Sequence, residues 1–391
     1  MRRLYFASSI FVLSLGACSV SEVGDEDKAA TAAASADAGA AAAIDAMGSN
    51  DDAAATPPAE DKPRPLMQAQ VVLDRLGFTP GVVDGKMGLS TVNAIKGFQE
   101  SRKIAVTGKL DQPTLQALAE WQRIPATRVV TITPEFANDQ FVEIPEDRKD
   151  QAKLDRMGYS SLAEKLAERF HTTEDVLAEL NPQLLGGTPA ATASSTSAPT
   201  GNDSATAATP AIAYAAGMQL RVPNVGADRF DAAAIKDAKW NATLRMLGVG
   251  TEQPTAAKIM VDKSDQVLRV LDGQGKLLAQ FTATMGSSQF PLPLGTWKIQ
   301  GTAYNSTWQY NPALLANADK TDPKLEIPAG PNNPIGVVWM DLSKEHYGIH
   351  GTDEPNRIGR AESNGCIRLT NWDAARLAQM IKPGIEAVFQ A

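Results

Sequence analysis

The chain has 391 residues, a length that favours about two or three domains. Its residues are 43% hydrophobic and 21% charged, values typical of a globular protein, which exclude a membrane bundle and a fully disordered chain. The 37 basic and 45 acidic residues give a formal net charge of −8, which argues against a general nucleic-acid-binding protein because such proteins need a basic surface.

The first 18 residues have the pattern of a secretory signal. Two arginines precede an apolar run over residues 4–15, which is too short to span a bilayer and ends in Leu-Gly-Ala-Cys. This ending resembles a bacterial lipoprotein signal, which implies that Cys18 is lipidated and anchors the protein to a membrane. The alternative is an ordinary signal in which Cys18 stands here by chance. We therefore expect residues 1–18 to direct a periplasm-facing lipoprotein to the cell envelope, in the outer membrane.

Residues 19–62 lack the pattern of a packed domain. Of the 19 residues from Ala29 to Met47, 12 are alanine. Alanine favours helix, but it buries too little apolar area to offset the entropy lost on ordering. We expect a disordered tether that lets an anchored protein reach away from the membrane.

Residues 63–125 have the pattern of a small three-helix bundle. The apolar face of the first helix ends at Gly77, and the second helix is expected to be capped by Ser90 or Thr91. Asp84 is expected to be a turn residue, because no row of oxygen ligands for calcium follows it. The run V-V-D-G-K-M-G-x-x-T-x-x-A-I-x-x-F-Q resembles the peptidoglycan-binding domain found on many bacterial wall enzymes.

Residues 126–225 are expected to form a small α+β module. Two short apolar helices flank His171-Thr172-Thr173, where a threonine caps the second helix and His171 is expected at the surface. The runs S-L-A-E-K-L-A-E-R-F, V-L-A-E-L-N-P and G-M-Q-L-R-V-P resemble a lysin-motif module, which has a strand-helix-helix-strand layout and binds glycan chains. A low-complexity insertion over residues 186–216 precedes the closing strand Gln219–Pro223, a length that a surface turn tolerates.

Residues 226–255 are expected to be a connector with one short helix. From residue 256 to 391 the apolar residues recur with a period of two, which predicts a β-rich domain with mixed sheets. The run D-G-Q-G at residues 272–275 predicts a hairpin. The segment 305–334, rich in proline, asparagine and aromatics, is either a lid or a surface excursion. The predicted fold class is therefore multidomain α+β.

Cys366 and His350 are the candidate catalytic residues. The chain has 2 cysteines and 3 histidines, too few for a framework of several disulfides or a four-thiolate zinc site, so we expect no metal. If Cys18 is lipidated, Cys366 is the only free thiol. A thiol attacks carbonyls as thiolate and needs a base or positive charge that lowers its pKa from about 8.5, and His350 is a suitable partner.

The residues around Cys366 fit the same chemistry. Gly365 permits close approach of a substrate, and a turn there could aim backbone N–H groups at a developing oxyanion. Arg368 has the strand parity of Cys366 and is expected to face the same cleft and hold a carboxylate. The spacing alone leaves a non-catalytic alternative open, in which Cys366 is an unreactive residue of the apolar core and His350 has only a structural role.

The motifs I-H-G-T and S-N-G-C-I-R-L-T-N resemble the signature of the L,D-transpeptidases, bacterial wall enzymes with a β-rich catalytic domain. The resemblance extends through P-L-P-L-G-T-W-K-I, P-A-G-P-N-N-P-I-G and N-W-D-A-A-R-L-A, so it covers residues 256–391. It implies that Cys366 is the nucleophile, His350 the base and Arg368 a substrate-side residue. Ser363 and the Gly365 backbone are implied as support for the site.

The sequence departs from that family at one position. The family usually has histidine where this chain has Asn364, which can form hydrogen bonds but cannot titrate, so any auxiliary proton role there is lost. Asn364 is therefore expected to support the site. His346 is a candidate second base, because its even offset from His350 would place both on one strand face.

The resemblance implies a two-step acyl transfer without any cofactor. Cys366 attacks the diaminopimelate carbonyl of a tetrapeptide stem, and D-alanine leaves. The thioester is resolved by an amine of another stem, which gives a 3-3 cross-link, by a lysine of a wall-anchored lipoprotein, or by water. The expected partners are peptidoglycan stems and glycan, in cell-wall biogenesis and cell shape. The alternatives are a hydrolase of the same fold (carboxypeptidase-like or cross-link-cleaving) and a non-catalytic wall-binding lipoprotein.

Overall fold

The computed structural model describes residues 62–185, 212–226, 229–315, 318–360, 363 and 365–391. The predicted signal with Cys18, the tether apart from its last residue and most of the 186–216 insertion lie outside the described residues, as does Asn364. Within the described ranges, no helix is both long enough and apolar enough to span a membrane.

Three helices form the first folded part of the chain: α1 (Pro65–Arg75), α2 (Leu89–Ser101) and α3 (Gln112–Leu118). Helix α1 ends just before Gly77, whose φ of 90° lies in the left-handed region, and this confirms the predicted stop. Their apolar faces pack on one another and bury Leu73, Ile95 and Phe98 completely.

The loop between α1 and α2 is held by side-chain hydrogen bonds. Asp84 Oδ1 accepts from the Lys86 N–H at 2.8 Å and from Gln70 Nε2 at 2.9 Å, so Asp84 is a turn residue as predicted. The predicted cap at Ser90 or Thr91 is wrong, because both residues lie inside α2, which begins after Gly88 without a side-chain cap.

The middle part of the chain contains a two-stranded antiparallel sheet and four helices. These elements are β1 (Thr127–Thr131), α4 (Pro134–Ala137), α5 (Arg148–Gln151), α6 (Leu162–Arg169), α7 (Glu174–Leu180) and β2 (Gln219–Pro223). Strand β2 and helices α6 and α7 lie where the sequence predicts them, and Thr173 caps α7 by accepting from the Val176 N–H at 3.2 Å. The sequence did not predict the segment 132–161, which carries α4 and α5.

The C-terminal part contains a nine-stranded mixed sheet in the order β5-β4-β3-β13-β7-β10-β11-β12-β6. Two helices pack with this sheet, and a separate hairpin is formed by β8 and β9. The elements are α8 (Ala238–Leu247), β3 (Lys258–Asp262), β4 (Val267–Leu271), β5 (Leu277–Thr282), β6 (Thr284–Met285), β7 (Gly295–Tyr304), β8 (Trp308–Tyr310), β9 (Leu325–Ile327), β10 (Val338–Leu342), β11 (Gly348–His350), β12 (Ile367–Arg368), α9 (Asn371–Met380) and β13 (Glu386–Gln390). The β-rich mixed sheet and the β4–β5 hairpin confirm the sequence-based prediction.

The segment 226–255 is more than the connector that the sequence suggested. It carries the expected helix, α8, but Trp240, Leu244 and Leu247 of this helix are buried in the same apolar core as the sheet. The hydrophobic effect therefore makes α8 part of the C-terminal domain.

The three-helix part covers the edge of the large sheet. The Thr79 N–H donates to the Gln280 carbonyl of β5 and the Gln280 N–H donates to the Gly77 carbonyl, both at 2.9 Å. The Gln280 side chain donates to the Asn93 carbonyl of α2 at 2.6 Å. An open strand edge exposes unpaired backbone groups, so this docking protects β5 and fixes the two parts together.

His171 is buried, and the prediction that it lies at the surface is wrong. It stands where the three parts meet: Nδ1 is 3.2 Å from Asp74 Oδ1 of α1, and Nε2 is 4.0 Å from Asp373 Oδ2 of α9. Its ring stacks on Trp372 with the ring centroids 4.7 Å apart. Because the two carboxylates flank different ring nitrogens, they suit a doubly protonated, positively charged His171 ring better than a metal ion.

This junction binds protons more tightly than the unfolded chain does. Burial lowers the pKa of His171, but the hydrogen bond that its ring donates to Asp74 and the charge of Asp373 outweigh this effect, so the pKa is raised. Arg376 and Glu168 also lie near the ring. Burial raises the pKa of Asp373 to about 6. The stability that a raised His171 pKa contributes is complete below about pH 6.5 and is lost as the pH rises through the folded value.

We expect His171→Gln to lower the free energy of unfolding by about 1–3 kcal/mol at pH 6, and by less at pH 8, because glutamine keeps a donor without the charge. Thermal midpoints of both proteins between pH 6 and pH 8 measure this. The matched control is His346→Gln, since that side chain is 58% exposed. Thermal midpoints that depend on pH in the same way for wild type and His171→Gln would show that His171 does not become charged in this pH range.

Candidate active site

Strands β11 and β12 bring the expected catalytic residues together. The strands are parallel, with Ile349 opposite Ile367 and His350 opposite Arg368, and Cys366 directly precedes β12. Cys366, His350 and Arg368 all line one cavity of about 740 Å³, which confirms that Arg368 faces the same cleft as Cys366. This volume is in the range of sites that enclose a small ligand or a peptide segment.

The surroundings of His350 keep its ring neutral and oriented. Nδ1 lies 2.6 Å from the Gly351 carbonyl, so Nδ1–H donates there and Nε2 carries the free lone pair. Trp339, the partner of His350 across the β10–β11 pair, stacks on the ring at 5.3 Å between centroids. Burial and the charge of Arg368 lower the pKa of His350 to about 3, against the smaller effect of the Gly351 hydrogen bond.

The Cys366 thiol is protonated in the resting site. Its Sγ lies 3.8 Å from the His346 carbonyl, to which the S–H donates. The side chain borders the open cavity yet is packed among protein atoms, and this burial raises its pKa, although a hydrogen bond from the Gly348 backbone and the charge of Arg368 oppose the effect. The surroundings therefore raise the thiol pKa and do not lower it as expected, and both the thiol and the His350 imidazole are neutral in this cavity.

The loop before Cys366 is shaped by Ser363 and Gly365. Ser363 Oγ donates to the Cys366 carbonyl at 2.6 Å and accepts from the N–H groups of Gly286 at 2.7 Å and Gly365 at 3.2 Å. Gly365 has a φ of 102°, and a Cβ there would lie 2.6 Å from the Tyr347 ring. Only glycine therefore fits between the loop and Tyr347.

Arg368 and His346 both line the cavity, but they differ in burial. Arg368 is half-buried, and its Nε is buried without a hydrogen-bond partner among the described residues, so its guanidinium is available to a carboxylate. The expectation that His346 shares a strand face with His350 is wrong, because β11 begins at Gly348 and His346 lies before it with a φ of 66°. The His346 ring is exposed beside Glu345, 3.5 Å away.

Sequence reasoning missed the residues that hold His350 in place. Asn371 Oδ1 accepts from the Val337 N–H at 3.1 Å, and Asn371 Nδ2 donates to Glu168 Oε1 at 2.7 Å. A Cβ on Gly351 would lie 2.2 Å from Asn371 Oδ1, so Asn371 packs on the residue whose carbonyl orients His350. The N-cap of α9 is Thr370, and no local pattern marks Asn371 beyond its place in the C-terminal motif.

The segment 305–334 forms part of the cavity wall. Strands β8 and β9 pair as a hairpin, and Trp308 and Tyr310 of β8 line the cavity. Arg148 of α5 lines it as well, from the middle part of the chain. The sequence left open that this segment is a surface loop without a role at the site. Because residues of the segment line the cavity, a role at the site is favoured.

We expect the rate at which iodoacetamide alkylates Cys366 to rise steadily with pH up to about pH 9, because burial raises the thiol pKa. Mass spectrometry of the peptide that contains Cys366 follows this one thiol, with a short free-cysteine peptide as the control. A rate that is constant between about pH 5 and pH 8 would show a preformed thiolate–imidazolium pair instead.

Two family models match the chain. Residues 256–389 match the L,D-transpeptidase catalytic domain, and residues 65–118 match the family described as "Putative peptidoglycan binding domain". The protein "Putative L,D-transpeptidase YkuD" of Bacillus licheniformis is 52% identical over 54 residues, which are 14% of this chain and 33% of that protein. "Putative L,D-transpeptidase in ATP synthase subunits region ORF 5" of Fuscovulum blasticum is 27% identical over 179 residues, which are 44% of this chain and 89% of that protein.

A solved L,D-transpeptidase from Mycobacterium smegmatis is 22% identical, with a TM-score of 0.28, over 34% of this chain and 58% of that one. The chain thus spans about a third of the length of the Bacillus relative and somewhat more than half of the mycobacterial structure. The match to the catalytic family model covers the cavity-lining residues Cys366, His350 and Arg368. The chain therefore contains an L,D-transpeptidase catalytic domain over residues 256–389 and a domain of the peptidoglycan-binding family over residues 65–118.

Proposed function

We propose that this protein is a peptidoglycan L,D-transpeptidase with Cys366 as its nucleophile. The observation that carries the proposal is the meeting of Cys366, His350 and Arg368 at one cavity, inside a domain that matches the L,D-transpeptidase family. The donor is a tetrapeptide stem, whose diaminopimelate carbonyl is attacked and whose terminal D-alanine leaves.

Proton transfer and attack occur together in the first step. His350 Nε2 takes the thiol proton as Sγ bonds to the carbonyl carbon, since neither group is ionised beforehand. The imidazolium that forms donates through Nδ1–H to the Gly351 carbonyl. It then returns a proton to the nitrogen of D-alanine as the C–N bond breaks, which leaves a thioester on Cys366.

Charge on the substrate is met by the backbone and by Arg368. The Gly365 N–H already donates to Ser363, so we assign the oxyanion contact to backbone N–H groups at Cys366. The Arg368 guanidinium holds a substrate carboxylate beside the reacting carbon. Because the stem is already bound and oriented, the entropy that would be lost in a bimolecular encounter no longer adds to the activation barrier.

The remaining parts of the proposal are the resolution of the thioester, the binding of glycan and the membrane anchor. An amine of a second stem, a lysine of a wall-anchored lipoprotein, or water resolves the thioester. The peptidoglycan-binding family domain at residues 65–118 and the lysin-motif-like middle part are proposed to hold the glycan. A lipid anchor at Cys18 would place the protein in the outer membrane, facing the periplasm. The thioester conserves the energy of the cleaved bond, so no cofactor is required.

We expect Cys366→Ala to abolish release of D-alanine from a diaminopimelate tetrapeptide, and His350→Gln to lower kcat by about 100- to 10,000-fold, because proton transfer is lost. His346→Gln should retain most of the activity, since its ring is exposed and its backbone carbonyl is unchanged. An enzyme-coupled assay for free D-alanine measures all three. Full turnover by the Cys366→Ala protein would contradict the proposal.

The products separate transfer from hydrolysis. Mass spectrometry of digested wall incubated with the enzyme is expected to show new stem dimers. Shortened monomers alone would make the protein a hydrolase of the same fold. A protein that binds sacculi but neither releases D-alanine nor is labelled at Cys366 by a carbapenem would be a non-catalytic wall-binding protein.

A further inference from the structure

The middle part of the chain completes the cavity around Cys366. The Met157 N–H donates to the Ala329 carbonyl at 2.9 Å, and the Asn332 N–H donates to the Met157 carbonyl at 3.0 Å. Met157 is fully buried in an apolar cluster with Tyr310 and Ile327 of the β8–β9 hairpin. The segment that carries α5 is therefore fixed to the wall of the catalytic cavity.

The side chain of Arg148, at the start of α5, is held in a fixed position in this wall. Its Nη1 donates to Gln151 Oε1 at 2.6 Å, and the buried Gln151 donates through Nε2 to the Pro145 carbonyl at 2.6 Å. The guanidinium carbon lies 5.4 Å from the centroid of the Trp308 ring. A guanidinium that is fixed over an aromatic ring loses little conformational entropy when it binds a ligand.

The positive charge of Arg148 is not neutralised within the described part of the chain. No carboxylate there forms an ion pair with Arg148 or Arg368. The acidic side chains of the cavity have other partners: Asp322 pairs with Lys149 at 2.9 Å, and Asp319 accepts from the backbone and hydroxyl of Thr321. Two guanidinium groups therefore line the cavity without an ion-pair partner among the described residues.

The two guanidinium groups act on the same region. Burial raises the pKa of Asp353, and the charges of both Arg148 and Arg368 oppose this rise. Asp353 is beyond ion-pair distance of either guanidinium, so it does not occupy their N–H donors. A planar guanidinium with free N–H groups matches a carboxylate better than any other common ligand group on a peptide.

We propose that Arg148 binds a free carboxylate of the stem peptide, so that the middle part of the chain helps to select the substrate of the catalytic domain. This inference rests on the proposed function. Arg368 holds one carboxylate beside Cys366, and Arg148 holds a second. A tetrapeptide stem offers both the terminal D-alanine carboxylate and the side-chain carboxylate of diaminopimelate. Arg148 is thus a specificity residue rather than a catalytic one.

Binding measured without chemistry tests this inference. Calorimetry on the full chain with Cys366→Ala would compare three synthetic peptides: the tetrapeptide, its D-alanine carboxamide and its diaminopimelate carboxamide. We expect each carboxamide to bind at least about tenfold more weakly than the free peptide, because each lacks one of the two carboxylates that the guanidinium groups hold. Adding Arg148→Gln should weaken the free peptide by about tenfold and leave the affinity of one of the two carboxamides unchanged. That carboxamide identifies the carboxylate that Arg148 binds.

The controls separate recognition from structure. Lys153→Gln removes a positive charge from the same segment, but Lys153 is 74% exposed and paired with Asp150, so it should change no affinity by more than about twofold. Arg148→Lys keeps the charge without the planar fork and should lose part of the discrimination. Equal thermal midpoints show that the variants are folded.

Two results would overturn the role of Arg148: affinities that stay within about twofold in Arg148→Gln, or an equal loss for all three peptides. Absence of any peptide binding would overturn it too. D-alanine release by the chain with Cys366 intact reports separately on the proposed function. Release without Arg148-dependent discrimination defeats this inference alone, whereas discrimination without release defeats the proposed function and leaves the carboxylate site standing.

Discussion

The proposed chemistry depends on one hydrogen bond, from His350 Nδ1–H to the Gly351 carbonyl at 2.6 Å. It fixes the tautomer, so that the lone pair on Nε2 is the one available to the thiol. The bond persists because Gly351 is packed against Asn371, which is itself held by Glu168 of the middle part and by the Val337 backbone. The proposed base, His350, is therefore oriented by contacts that cross between separate parts of the chain.

Burial keeps both Cys366 and His350 uncharged in the resting site. It lowers the pKa of His350 to about 3 and raises the pKa of Cys366, so the site rests as an uncharged pair. A desolvated thiolate would be costly without a substrate, and a neutral thiol is a poor nucleophile towards other electrophiles. In the proposed mechanism, charge forms only when a carbonyl occupies the cavity and the backbone and Arg368 can stabilise it.

The sequence predicted features that local patterns encode. The stop of α1 at Gly77, the Thr173 cap and the β4–β5 hairpin follow from short-range conformational preferences, and the parity of Cys366 and Arg368 follows from strand geometry. It failed where distant segments meet. His171 is buried because Asp74 and Asp373 approach it from other parts of the chain, and no local pattern carries that information.

The same reason explains why the sequence revealed only part of the site. Cys366 and His350 were found from their chemistry and motifs, but Trp339 and Arg148 reach the cavity through strand pairing and domain packing. The most direct test of the account is a nitrogen-15 NMR titration of the three imidazole rings. It predicts that His350 stays neutral with its proton on Nδ1 from about pH 6 to pH 8. A doubly protonated His350 ring at neutral pH, lost on Cys366→Ala, would contradict it.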